Sequence, residues 1–271
     1  MALLKADNIA FSYSKDKEYI RNLSLEIEHK DFITVTGKNG SGKSTLVKLL
    51  SGIIPPDNGK IYFEEKDIFS IKRKELAINL SYLPQYGVPF YEGIRVGEFL
   101  MLGRYPYRSS NSFFENKIDV NSVNEALDFS GISMLKSKLI SELSGGERQK
   151  VLITLSLIQL DINSNLNKKI LIIDEPLTYL DIHHQYEIFE MLSLLNRNFG
   201  LTILVITHDL NIALRFSQKT VLMQDGKIVQ FGMTNDVLTE ETLKKHFLIN
   251  SQIVKLNDIS QIYYNINEYS K

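Results

Sequence analysis

"FITVTGKNGSGKSTLVKLL", residues 32–50, runs from an apolar segment through a bare loop into a segment with helical spacing. A loop of glycines, lysines and hydroxyl residues cannot build a core. Its middle, Gly37 to Ser44, fits G-x-x-x-x-G-K-[ST]. Glycines let backbone N–H groups approach a phosphate closely, and a helix starting near Lys43 turns the positive end of its dipole toward the anion. Gly37, Asn39, Gly40, Ser41, Gly42, Lys43, Ser44 and Thr45 are the candidate contacts. Lys43 would reach the β- and γ-phosphates and the Ser44 hydroxyl would ligate Mg²⁺. A flexible Gly/Ser turn is the plain alternative, and the strand before and helix after weigh against it. The loop receives a nucleoside triphosphate; kinases, GTPases and transport ATPases all remain open.

The surrounding chain narrows the choice. With 271 residues it suits one large domain or a domain with an insertion. Lys+Arg is 31 and Asp+Glu is 32, so the formal net charge is −1, which argues against nucleic acid as the main partner. There are no cysteines, which excludes disulfides and thiolate metal sites. "MALLKADNIAF" does not have the pattern of a signal peptide, and no apolar run approaches the ~18 residues of a membrane span. If the protein works at a membrane, another chain is expected to span it.

Along the chain, "LLKADNIAFSY" and "NLSLEIEHK" alternate as strands, and "PPDNGKIYF" and "INLSYLPQ" read as a turn with a strand and a further short strand. From about Val96 to Leu160 helical spacing dominates. "DINSNLNKK", residues 161–169, reads as an exposed loop. Strands and helices then alternate, which implies a parallel sheet. They end in the hairpin-like "KTVLMQDGKIVQFG", whose Asp225-Gly226 suits a tight turn. From Lys244 onward the pattern is weak.

"ILIIDEP", residues 170–176, places Asp174 and Glu175 at the C-terminal end of a buried strand, where open α/β sheets bind ligands. Asp174 can hold Mg²⁺ through water and Glu175 can polarise an attacking water. A solvated acidic pair is the alternative, disfavoured by the glycine loop upstream. In "LSGGERQK", residues 143–150, Ser144, Gly145 and Gly146 present a hydroxyl and N–H groups to an anion at a helix start. An ordinary capping box accounts for Ser144 and Glu147. It does not account for two glycines that cost about 0.8–1 kcal/mol each in a helix.

Here the sequence resembles the ATP-binding cassette (ABC) ATPase family, with motifs in order from roughly Leu3 to Gly232. Tyr13 of "FSYSK" matches the adenine-stacking aromatic and residues 37–45 the P-loop. Gln85 of "YLPQ" matches the Q-loop, residues 143–150 the signature and 170–175 Walker B. Asp181 of "LTYLD" matches the D-loop and His208 of "VITHD" the switch histidine. The resemblance implies an α/β P-loop fold: a mixed sheet core, an antiparallel N-terminal β-subdomain and a helical signature subdomain. It implies one ATPase domain over 1–243, with the helical insert at about 96–160 and a short tail at 244–271. Two copies would pack head to tail, each ATP lying between the P-loop of one and Ser144-Gly145-Gly146 of the other. Glu175 would activate water, His208 contact the γ-phosphate, Gln85 sense Mg²⁺ and a membrane subunit, and Asp181 link the two sites.

"VGEFLMLGRYPYR", residues 96–108, and "LDIHHQYEI", residues 180–188, look like segments of metal-chelate importer ATPases, whose cargo is iron-siderophore, haem or cobalamin. That implies a separate permease, an indirect link to a substrate-binding protein, and a place on the cytoplasmic face of the membrane. Tyr86, Phe90, Tyr91 and Tyr105 are candidates for the permease groove. Tyrosines filling the helical subdomain would also explain the first segment, but the coincidence of both segments favours the importer. A soluble assembly ATPase, such as the iron–sulfur type, an ATPase of another importer class, and a P-loop kinase are the rival readings. His183, His184 and Glu187 have metal-like spacing but read better as a solvated helix start. Tyr179 in the D-loop and the length of 161–169 depart from the common family pattern.

Overall fold

The computed structural model describes residues 2–14, 17–85, 93–108, 117–176, 180–256 and 259–264. In chain order the elements that matter here begin with strands β1 (Ala2–Ser14), β2 (Lys17–Glu28) and β3 (Phe32–Thr36) and helix α1 (Lys43–Leu50). Strands β4 (Asn58–Phe63) and β5 (Lys66–Asp67), helix α2 (Arg73–Asn79) and strand β6 (Leu80–Leu83) follow. Helices α3 (Val96–Leu100), α4 (Lys117–Phe129) and α5 (Gly145–Leu160) precede β7 (Ile170–Asp174) and α6 (Ile182–Phe199). The chain closes with β8 (Thr202–Ile206), α7 (Leu210–Phe216), β9 (Lys219–Gln224), β10 (Lys227–Met233), β11 (Ser251–Leu256) and β12 (Ile259–Tyr264).

These elements form two compact units, one of residues 1–69 with 203–271 and one of residues 70–202. The first holds an antiparallel sheet in the order β2-β1-β4-β5. It also holds a mixed set in which β3 pairs in parallel with both β8 and β9, and β9 pairs antiparallel with β10. All five residues of "FITVT" in β3 are buried, as expected for a parallel strand covered on both faces. The turn from β9 to β10 has Asp225 at φ 49° and Gly226 at φ 76°, the two positive values of a type I′ hairpin.

In the second unit β6 and β7 are parallel, with Leu83 opposite Ile173. The five residues of β7, "ILIID", are buried, and each aliphatic side chain there stabilises by about 1.5–3 kcal/mol. Helix α6 ends on Gly200 at φ 73°, whose N–H donates to the Asn196 carbonyl in the manner of an αL cap, while the Leu201 N–H reaches the Leu195 carbonyl. Gln159 of α5 donates to the carbonyls of Ala77 and Leu80 at 2.8 and 3.1 Å and accepts from Ser81 Oγ at 3.2 Å. One amide thus ties α5 to the junction of α2 and β6. The helix α2 itself is not expected from the sequence, because "RKELAIN" abuts the strand directly.

Two expectations are corrected. The segment 161–169 is not simply an exposed loop. Asp161 turns the chain at φ 55°, Ile162 and Leu166 are buried, and Lys169 Nζ folds back onto the Leu160 carbonyl and the Ser164 hydroxyl. Burial pushes the Lys169 ammonium below the usual lysine range. The tail is also patterned: β11 and β12 pair antiparallel from Ser251–Tyr264 to Leu256–Ile259. Ile262 is buried against Leu210, Ala213 and Leu243, and the Asn211 side chain brackets its backbone, accepting its N–H at 2.7 Å.

Candidate functional site: a phosphate loop and a carboxylate strand end

In the first unit, the P-loop leaves β3 and is shaped by what surrounds it. Gly37 has φ 145°, and a Cβ there would stand 2.2 Å from the Met223 carbonyl oxygen. Gly42 has φ 101°, and its Cβ would meet the Tyr19 carbonyl at 3.0 Å. The Gly226 N–H donates to Ser41 O at 3.0 Å, and the Arg21 N–H donates to Gly226 O at 3.0 Å. The loop is therefore pinned between β9, β2 and the hairpin turn. Gly37→Ala is expected to strain the loop by roughly 1–3 kcal/mol and to abolish tight ATP binding. Thermal unfolding and nucleotide titration check this, and unchanged affinity would refute the role of the close approach.

Helix α1 begins on Gly42 in the left-handed region with no side-chain cap. Lys43 is buried and its Nζ donates to the carbonyls of Gly37 and Lys38 at 2.9 and 3.1 Å, so the ammonium lies within the loop. Ser41 Oγ is buried with no hydrogen-bond partner in the protein. Thr45 is buried, Ser44 half-buried, and Asn39 and Gly40 exposed. Tyr13 is 53% exposed and meets Tyr19 edge to face at 5.0 Å. His208 follows β8, the parallel neighbour of β3, with Val35 opposite Ile206. The P-loop and His208 thus leave the same ends of adjacent strands. Asp209 caps α7 through the Ile212 N–H at 3.0 Å and anchors its own N–H on Thr207 Oγ1, which fixes the backbone around His208.

In the second unit, the parallel register of β6 and β7 brings Gln85 and Glu175 together. Gln85 Nε2 donates to Glu175 Oε2 at 2.5 Å. Glu175 is half-buried with φ 52°, a left-handed conformation that costs a non-glycine residue of order 1–3 kcal/mol and that clusters at functional sites. Asp174 is buried and accepts from Tyr82 OH at 3.4 Å. No sequence rule anticipates the strained Glu175 backbone.

The same unit holds the signature turn. Ser144 Oγ accepts the Glu147 N–H at 3.2 Å and Glu147 accepts the Ser144 N–H at 2.9 Å, so the capping box is formed. The Ser144 N–H holds the Glu147 carboxyl below the usual range. Gly145 opens α5. Gly146 lies against the His184 ring, close enough that a Cβ would stand 2.7 Å from Cδ2. Asp181 caps α6 through the His184 N–H at 2.9 Å and meets His184 Nδ1 at 2.8 Å. These bonds hold its carboxyl below the usual range. His183 stands 3.6 Å from Glu187.

Tyr105 is 66% exposed, while Tyr107 is half-buried with its OH on the Gln159 carbonyl at 3.0 Å. Tyr86, Phe90, Tyr91 and Tyr179 lie outside the described residues. Among the described residues no helix is long and apolar enough to cross a membrane.

The sequence and fold comparisons agree. The family described as ABC transporter matches residues 20–178. The iron(3+)-hydroxamate import ATP-binding protein FhuC of Bacillus subtilis is 34% identical over 94% of this chain and 91% of its own. The ferric enterobactin transport ATP-binding protein FepC of Escherichia coli is 32% identical over 94% and 90%. A solved structure of the ADP conformation of MJ1267, an ATP-binding cassette of an ABC transporter, superposes with a TM-score of 0.78 at 27% identity, covering 92% of this chain and 99% of that one. The fold also matches an inward-facing metal-chelate type ABC transporter with a TM-score of 0.80 at 24% identity, over 97% of this chain and 96% of that one. On these likenesses this chain belongs to the ABC transporter family as an ATP-binding, ATP-hydrolysing subunit.

Proposed function

We propose that this subunit powers import of a metal chelate, with iron-siderophore as the leading cargo class, through a separate membrane permease. The observation that carries the proposal is likeness over 94% of the chain to two iron-chelate import and transport subunits, FhuC and FepC. In this reading residues 1–243 work as one cassette and pair head to tail with a second copy, peripheral to the cytoplasmic face of the membrane. A substrate-binding protein delivers cargo to the permease, and no residue of this chain touches it.

The residue roles follow from the chemistry at hand. The P-loop amides, Lys43 and the orphaned Ser41 hydroxyl receive phosphate oxygens. Tyr13 stacks on adenine. Glu175 takes a proton from the attacking water, and Gln85, bonded to it, holds its carboxylate in place. His208 contacts the γ-phosphate. Ser144, Gly145 and Gly146 approach the nucleotide of the second copy, and Asp181 links the two sites. Ser44, Asp174 and Gln85 carry a hydroxyl, a carboxylate and an amide oxygen, hard donors of the kind that would hold Mg²⁺. Bound there, the ion would neutralise developing phosphate charge.

The test is co-purification of a tagged Glu175→Gln chain from detergent-extracted membranes in the presence of ATP. The expected companion is a polytopic permease of a chelate importer. A purely soluble set of partners would favour the assembly-ATPase reading instead.

A further inference from the structure

The glycine at position 146 has a local cause. Its missing side chain is replaced by the edge of the His184 imidazole: a Cβ would lie 2.7, 2.9 and 3.1 Å from Cδ2, Cγ and Nε2. That ring does not float. Asp181 uses both carboxylate oxygens on His184, one accepting its backbone N–H at 2.9 Å and the other meeting Nδ1 at 2.8 Å. The carboxylate fixes the Nδ1–H tautomer and aims the opposite ring edge at the signature turn. Nearly one turn further along α6, Glu187 accepts from Lys150 Nζ of α5 at 2.8 Å, so the two helix starts meet at two successive points. His184 is half-buried, which suits a side chain that joins two segments rather than filling a core.

We propose that His184 is a positioning residue that couples Asp181 to the Ser144-Gly145-Gly146 turn, so that a displacement of Asp181 is carried by the imidazole directly to the segment that closes on nucleotide. This rests on the reading above that the turn meets the ATP of a second copy. The coupling has two halves: the hydrogen bond to Asp181 and the ring edge on Gly146. Variants separate them. His184→Leu and His184→Phe both keep apolar volume against Gly146 and lose the bond to Asp181. His184→Asn retains a donor near the Nδ1 position.

The experiment measures ATP-driven dimerisation of the full chain in a Glu175→Gln background, by light scattering across an ATP titration. Nucleotide affinity of the monomer and the melting temperature are measured beside it. His184→Leu and His184→Phe are expected to weaken dimerisation about 10-fold, the scale of a lost hydrogen bond to a charged group. Monomer affinity and melting temperature should stay at the parent values, and His184→Asn should recover most of the dimerisation. Dimerisation equal to the parent in either apolar variant that folds overturns the proposal. So does a loss that merely tracks melting temperature, or failure of both apolar variants to fold while His184→Asn folds, since each marks a role in holding the fold rather than in coupling. If the Glu175→Gln parent itself stays monomeric with ATP, the head-to-tail reading fails, and the proposal with it.

Discussion

Glu175→Gln is expected to lower steady-state ATP turnover by about 10²-fold or more, the usual contribution of a positioned general base. The substitution changes little else. A glutamine oxygen can still accept the Gln85 amide that now stands 2.5 Å from Oε2, and the side chain keeps its length. Glutamine meets the same backbone restriction at φ 52° as glutamate, so the substitution adds no new strain there. What disappears is the ability to take a proton. ATP binding should survive, because Lys43 and the phosphate loop are untouched. The variant should accumulate an ATP-bound dimer. Phosphate release measured under saturating ATP checks the first point, and a rate close to the parent would remove Glu175 from the base role.

The second large effect concerns stability. Arg104 is 3% exposed and its Nε donates to Asp119 Oδ1 at 2.8 Å; Asp119 is itself 4% exposed. The guanidinium also stands 3.7 Å from Asp161 and 3.9 Å from the centre of the Tyr107 ring. Burial, and then the Asp161 charge, push the Tyr107 phenol up to about 12. Arg104→Met removes the cation and leaves Asp119 buried without it, so it should cost about 3–5 kcal/mol of folding stability. Replacing Arg104 and Asp119 together with apolar residues should recover much of that loss. Tyr105→Ala, at a 66% exposed position, should change stability by only about 0.5 kcal/mol or less. Urea denaturation of the three variants decides the matter. An Arg104→Met protein as stable as the parent would show that the cluster does not hold this subdomain.

That cluster also clarifies "GRYPYR". Arg104 and Tyr107 serve the interior of the helical region and Asp161 joins them from the following segment. Only Tyr105 is left facing outward. The segment is thus first a scaffold for the helical region, with Tyr105 left exposed.

Local chemistry made much of the site readable. The phosphate loop is recognised because glycines, a lysine and a hydroxyl must sit at fixed spacing between a strand and a helix. Asp225-Gly226 is recognised because few residues accept two positive φ angles. Ser144 and Glu147 announce a capping box three residues apart. What stayed hidden depends on residues far apart in sequence. Gly146 meets His184 and Arg104 meets Asp161 only after folding, and no spacing rule links them. Gln85 and Glu175 could be named separately, but their contact needs the parallel register of β6 and β7. The hairpin β11–β12 was within reach: "SQIVKL" and "ISQIYY" are rich in β-branched and aromatic residues, and only their weak alternation concealed them.

The most direct measurement of the central claim is uptake of radiolabelled iron, presented as an iron-siderophore complex, by cells depleted of this protein. The account predicts that uptake falls on depletion, returns with the wild-type chain and does not return with Glu175→Gln. Uptake that is indifferent to depletion, or that Glu175→Gln restores in full, would contradict it.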